Sequence, residues 1–179
     1  MRTLTITGDA AATALAIARG GYLPARLLSD YLDQPELTAF RIVHYRGAHK
    51  ARAARVVDPL TAAVDGRRVL LVDDVSDSGD TFAVALDHLR RQDSPAELRT
   101  AVLDHKTTSP YQPDYHARVI HRWRWIIYPW AVMEDLRSLI PGLPEPDAPP
   151  AALQAQLRAR HGLAVPVEVI ADALRRPKR

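Results

Sequence analysis

The sequence predicts an α/β fold with a mainly parallel sheet flanked by helices, on three observations. Val69-Leu-Leu-Val72 is a run of four apolar residues bounded by charge, as in an interior strand covered on both faces. Strand-like runs alternate with helical patterns along the chain, which implies right-handed crossovers between parallel strands. Small-residue loops follow two of the strands, Arg19-Gly-Gly21 and Asp77-Ser-Gly-Asp-Thr81, where α/β proteins hold ligands.

Taken in order, Thr3 to Thr7 alternates as a short strand and Thr13 to Ala18 reads as a more buried one. After the Arg19-Gly-Gly21 break, Leu23, Leu27, Leu28 and Tyr31 recur at helical spacing, with Pro24 tolerated in the first turn. Leu37 to Tyr45 is a third strand. The stretch from Arg46 to Arg67 is polar, basic and long for a connection, and is expected to be a functional flap or a disordered loop. Ser78 is a good N-cap for a helix carrying Phe82, Ala85, Leu86 and Leu89. A strand from Leu98 to Leu103, a turn-rich Thr107 to Asp114, and returning segments Ala117–Ile120 and Trp125–Tyr128 follow.

With 179 residues and 47% apolar content, the chain allows one α/β domain with an appendage. The absence of cysteine excludes disulfides and Cys-ligated metal sites. No secretion signal or spanning segment is legible, so a cytoplasmic protein with no membrane partner is expected. A net charge of +3, from 24 Lys+Arg against 21 Asp+Glu, suits an anionic substrate without calling for nucleic acid. Arg175, Arg176, Lys178 and Arg179 form a basic tail, read as a solvated terminus.

The chemistry concentrates after the apolar strand. Asp73 and Asp74 repel each other and any anion, so they call for hydroxyl donors or a cation; a ribose diol and Mg²⁺ would answer both needs. The amides of Asp77 to Thr81, with the Ser78 and Thr81 hydroxyls, can surround a phosphate at a helix N-terminus. Two other phosphate folds fit less well. A receiver domain would begin at this strand and need a later lysine, whereas more than sixty residues precede the strand and the only lysine after Lys106 is Lys178. A nucleotide P-loop needs Gly-x-x-x-x-Gly-Lys-Ser/Thr, which is lacking.

The stretch Val69 to Thr81 resembles the PRPP (phosphoribosyl diphosphate) motif of the type I phosphoribosyltransferases. The resemblance spans about residues 12 to 135 and implies that fold, with a small hood and a C-terminal helical extension. It implies that Asp73 and Asp74 hold the ribose hydroxyls, and Mg²⁺ indirectly through PRPP. Asp77, Ser78, Gly79, Asp80 and Thr81 would form the rest of the PRPP loop. Ile17 to Arg26 follows the pyrophosphate loop, with Arg19 and Gly20 as its contacts; by itself Gly20-Gly21 reads as a plain turn. Lys106 and Trp125-Ile-Ile-Tyr-Pro-Trp130 resemble the purine-binding parts of the bacterial and archaeal xanthine, guanine and hypoxanthine members. Lysine is donor-only and pairs with a 6-oxo group but not with a 6-amino hydrogen, and an indole face stacks on a base. By the same resemblance the Ile126 backbone would meet the purine edge and Trp125 its face, while Trp123 and Trp130 read as core and interface aromatics. His44 and Tyr45 stand where relatives carry a flap, with His49, Lys50, Arg52 and Arg55 beyond them as loop charges.

What the resemblance implies is a Mg²⁺-dependent pentosyltransferase joining PRPP to hypoxanthine, guanine or xanthine, with Asp77 exchanging the proton at the base nitrogen. The chain departs from the family in three places. Only a dozen residues precede the first core strand, where relatives usually have a helix. Ala131 stands where relatives commonly have an acid after Pro-Trp, which removes a candidate ligand of a second Mg²⁺. Ser76 and Ser78 occupy positions that vary or carry threonine in relatives. The expected organisation is a phosphoribosyltransferase domain over 1–140, a Pro-rich linker over 141–150 and a helical extension with its basic tail over 151–179. Within that extension Leu153, Leu157, Val167, Ile170 and Leu174 form a small apolar set that must pack on its own domain or on another subunit, with an oligomer contact, in a homo-oligomer such as a dimer, preferred to an independent function. The alternative function is a non-catalytic PRPP or nucleotide sensor.

Overall fold

A computed structural model describes residues 12–46, 52–92 and 94–175. Six strands form one sheet: β1 (Ala12–Ala18), β2 (Leu37–Arg46), β3 (Arg52–Asp58), β4 (Arg68–Ser76), β5 (Glu97–Lys106) and β6 (Tyr115–Ile120), in the order β3-β2-β1-β4-β5-β6. All neighbours are parallel except β2 and β3. Helix α1 (Tyr22–Tyr31) joins β1 to β2, and α2 (Asp80–Gln92) joins β4 to β5. The chain leaves β1 for β2 on one side and β4 for β5 on the other, which opens a crevice beyond the carboxyl ends of β1 and β4.

Alternation along the central strands divides the core. Leu15, Ile17, Val69, Leu71 and Val102 pack with Phe82, Ala85 and Leu89 of α2, while Ala16, Leu70, Val72 and Ala101 pack with Ala25 of α1. The small residues on the α1 side let that helix approach closely. Of the residues at helical spacing only Leu28 packs on this core: Pro24, Ala25 and Ser29 are buried, whereas Leu23, Leu27 and Tyr31 are exposed. The spacing specified a helix, but the small side chains beneath it selected its inner face.

Residues 46–67 are also a correction. Where a long connection without strands was expected, the described part of the segment contains β3, antiparallel to β2, with His44 opposite Ala54. Val56 packs against the core, and Leu60 and Val64 are buried in it. Their wide spacing among arginines concealed the apolar set. The expectations for Thr3–Thr7, His49, Lys50 and the last residues of the basic tail lie outside the described residues.

Two compact units divide the chain, one ending at Arg122 and the other starting at Trp123. In the second, α3 (Val132–Leu139), a 3-10 turn (Ile140–Gly142), α4 (Pro150–His161) and α5 (Val167–Arg175) enclose their own core. Leu136, Leu139, Ile140 and Leu143 pack with Leu153, Leu157, Val165 and Ile170. Residues 123–140, grouped by composition with the sheet, therefore pack with the C-terminal helices. Of the apolar set expected to pack on its own domain or on another subunit, Leu153, Leu157 and Ile170 are buried within this unit and Leu174 is exposed. Trp125–Tyr128 is not a strand. Gly162 ends α4 with φ +68°, the left-handed conformation that glycine adopts without strain. No helix among the described residues is long and apolar enough to cross a membrane.

Candidate functional site

Asp73, buried, and Asp74, partly buried, lie near the carboxyl end of β4, and the Asp74 N–H donates to Asp73 Oδ1 at 2.9 Å. Burial pushes the Asp73 carboxyl well above its ordinary value near 3.8, and the charge of Asp74 adds to the shift. A folded-state pKa above the unfolded one means that stability is full below about pH 4 and is lost as pH rises through the folded value. Asp73→Asn is therefore expected to raise the melting temperature of the metal-free protein by a few degrees near pH 8 and hardly at all near pH 4. Thermal unfolding at both values checks this, and an equal gain at both would remove titration as the cause.

The loop after β1 meets this acidic pair. A Cβ on Gly20 would fall 2.5 Å from Asp74 Oδ2, and one on Gly21 would fall 2.3 Å from the Val72 carbonyl oxygen. Gly21 is thus required by close approach to the sheet backbone, whereas a side chain at Gly20 would displace the Asp74 carboxylate. The Ala18–Arg19 peptide is cis. Arg19, exposed at the end of β1, stands beside this approach.

Asp77, Ser78 and Gly79 form the loop between β4 and α2. Gly79 has φ +81°, and the nearest atom to an added Cβ would be the Tyr111 Cβ at 3.1 Å. The segment 107–114 therefore backs the loop. Ser76 Oγ lies 2.8 Å from Ser109 Oγ and donates to the Tyr111 carbonyl, and the Tyr111 ring stacks on Phe82 at 4.6 Å. Asp114 accepts the Thr100 N–H and hydroxyl, each at 2.9 Å, which ties the end of this segment to β5. The sequence marked this stretch only as turns. Nothing local in it signals that Ser109 and Tyr111 support the loop.

Lys106, at the end of β5, reaches the same loop. Its Nζ donates to Asp77 Oδ2 at 2.8 Å, with the lysine side chain 5% exposed and the aspartate 43%. Ser78 Oγ donates to Asp80 Oδ2 at 2.9 Å, and His44 Nε2 lies 3.0 Å from Thr81 Oγ1. Arg19, Gly20, Asp73, Asp74, Asp77 to Thr81, Lys106 and His44 thus converge at the carboxyl edge of the first unit.

Trp125 and Ile126 belong to the second unit. Trp125 is half-buried against the helical core, lies edge-on to Trp123 at 6.4 Å, and has a buried indole N–H with no hydrogen-bond partner among the described residues. Trp123 and Trp130 are exposed rather than core residues; Trp130 stacks on Tyr128 at 4.8 Å. A pocket of about 580 Å³ in this unit is lined by Ile127, Trp130, Met133, Leu163 and Val169 among others, with no titratable side chain. It can bury apolar surface but supplies no acid or base.

A crevice where the strand order reverses, with an acidic pair, a glycine loop and a small-residue loop opening a helix beside it, is the arrangement in which α/β proteins hold phosphorylated ligands. The phosphoribosyl transferase domain family matches residues 9–135, and the chain belongs to that family. A xanthine-guanine phosphoribosyltransferase of Gluconobacter oxydans is 27% identical over 117 residues, 65% of this chain and 66% of that protein, just under two thirds of its length. The structure of a purine phosphoribosyltransferase from Pyrococcus horikoshii is 30% identical, with TM-score 0.59, covering 68% of this chain and 77% of that one. A hypothetical protein from Neisseria gonorrhoeae with bound ppGpp is 28% identical, with TM-score 0.56, covering 68% of this chain and 73% of that one. The type I phosphoribosyltransferase fold expected from the motif is borne out.

Proposed function

We propose that the protein is a purine phosphoribosyltransferase acting on PRPP and a 6-oxopurine: hypoxanthine, guanine or xanthine. The observation that carries this reading is the Lys106–Asp77 pair at the carboxyl edge of the sheet. A binder of PRPP alone has no need of a nearly buried lysine beside its phosphoribosyl loop, whereas an oxopurine requires a donor to its 6-oxo group and an acceptor at its ring nitrogen. In the reaction the bond from C1′ to the pyrophosphate oxygen breaks and its electron pair leaves with pyrophosphate. A bond forms from C1′ to a purine nitrogen, with inversion. Asp77 takes the proton from the base, and its carboxylate favours the positive charge developing on the ribose. Arg19 and the amides beside Gly20 receive the leaving group. Trp125 and the Ile126 backbone are assigned to the base, and Asp73 and Asp74 to the ribose hydroxyls. His44 and Tyr45 belong to a hood that limits water at the reacting carbon.

The donor set suits Mg²⁺, which takes one or two carboxylates together with substrate phosphates: a buried, self-repelling pair of aspartates favours a nearby cation. Bound there through PRPP, the metal would neutralise the pyrophosphate. Cytoplasmic purine salvage follows from the same reading. A homo-oligomer is also part of it, supported by the exposed Tyr22, Leu23, Leu27 and Tyr31 of α1.

The test is nucleotide formation from PRPP and Mg²⁺ with hypoxanthine, guanine, xanthine and adenine supplied separately. Product with oxopurines and none with adenine is expected. A second reading, a non-catalytic PRPP or nucleotide sensor, is favoured by the ppGpp held in the Neisseria structure and by Ala131. PRPP binding without product from any base would select it.

A further inference from the structure

The loop Asp77 to Thr81 has to hold a phosphate in acidic surroundings. From Asp73 to Thr81 the chain has four aspartates and no lysine or arginine, and the nearby Lys106 is paired with Asp77. Neutral donors must therefore carry much of the binding, and the side-chain hydroxyls of the loop are only two. The Ser78 hydroxyl already donates to Asp80. Thr81 is left, and its oxygen lies 3.0 Å from His44 Nε2.

A hydroxyl has one proton and two lone pairs, so the direction of this hydrogen bond decides what Thr81 offers. If Nε2 carries no hydrogen, Thr81 donates to the ring and presents only lone pairs to a phosphate, which repels them. If Nε2 carries hydrogen, the ring donates to Oγ1 and the threonine proton is free to reach a phosphate oxygen. Resting on the transferase reading, we propose that His44 is a positioning residue for the 5′-phosphate, donating from Nε2 to Thr81 and so aiming the Thr81 proton at the phosphate. His44 lies on β2 within the β2–β3 hairpin, so the phosphate loop and the hood strand share one hydrogen bond. The sequence placed His44 in a flap that keeps water from the reacting ribose; the contact with Thr81 gives it a role at the 5′-phosphate as well.

The experiment measures the affinity of the full chain for PRPP with Mg²⁺ by calorimetry, for wild type, His44→Ala, His44→Gln, Thr81→Val and the double variant His44→Ala/Thr81→Val. His44→Ala is expected to weaken binding about fivefold to tenfold, the size of effect for one hydrogen bond between neutral groups, here His44 and Thr81. His44→Gln, whose amide N–H can replace the donor, should recover most of the loss. In the double variant the second substitution should add little, because both remove the same interaction. Unchanged affinity in His44→Ala, no rescue by glutamine, or independent losses in the double variant would each overturn the proposal. His44 is exposed, so the melting temperature should hold across the histidine variants. Failure of the wild type to bind PRPP would instead remove the transferase reading, so the two failures are distinguishable.

Discussion

Asp77→Asn is expected to lower turnover by about 10²- to 10⁴-fold, the range for removing a positioned general acid or base, while PRPP affinity stays within a few-fold of wild type. The amide keeps the size of the side chain but accepts no proton and carries no charge to balance the ribose cation. The substitution also takes the carboxylate from a lysine that is 5% exposed. Breaking a fully buried pair is strongly destabilising, but Asp77 is 43% exposed and water can approach that end. The structural cost should therefore be about 1–2 kcal/mol, between the surface and buried limits. Melting temperature and single-turnover rate, measured on the same preparation, separate the two effects. Unchanged turnover with normal PRPP binding would remove Asp77 from the proton exchange.

Lys106→Ala should have the second largest effect, on the base rather than on PRPP. A charged donor to an acceptor in a largely desolvated position contributes about 1.5–3 kcal/mol, so oxopurine affinity should fall about 10- to 100-fold. PRPP affinity should change far less, because the ribose and phosphate contacts assigned above lie on other residues. Equal losses for base and PRPP would count against Lys106 as selector. Turnover at saturating base is expected to fall less than the affinity does, because Lys106 is assigned to holding the base and not to the proton exchange. Adenine should remain a poor substrate, since removing a donor does not create the acceptor that its 6-amino group needs.

Much of the candidate site was legible because its residues are close in sequence. Val69 to Thr81 carries strand, acidic pair, loop and helix start in one stretch, and local rules suffice for each: continuous apolar side chains, a glycine at positive φ, a helix opening after small polar residues. The two C-terminal helices were readable on similar grounds, with Gly162 between them. Lys106 and Arg19 were named from resemblance. Their convergence depends on parallel pairing of strands distant along the chain, which no local pattern expresses. The glycines of the β1 loop show the same limit: as sequence they read as a turn, and only the approach of Val72 explains why no side chain fits at Gly21.

Where the reading and the structure differ, the cause is packing between distant segments. Leucines at helical spacing in α1 defined a helix but not its inner face, which Ala16, Leu70, Val72 and Ala101 set by accepting Ala25. The residues from 46 to 67 lacked a local strand signal because an edge strand is stabilised by its partner, here β2. The C-terminal apolar set found its partners in α3 and the following turn, so composition placed a boundary at 141 that contacts draw at 123. The sequence by itself determined the fold class, the small-residue loop after β4 and every described helix but α3, because backbone geometry and apolar periodicity act over a few residues. Tertiary structure alone decided which faces are buried, what supports the loop and that Lys106 meets Asp77 and His44 meets Thr81, because those contacts join segments that only the folded sheet brings within hydrogen-bonding distance.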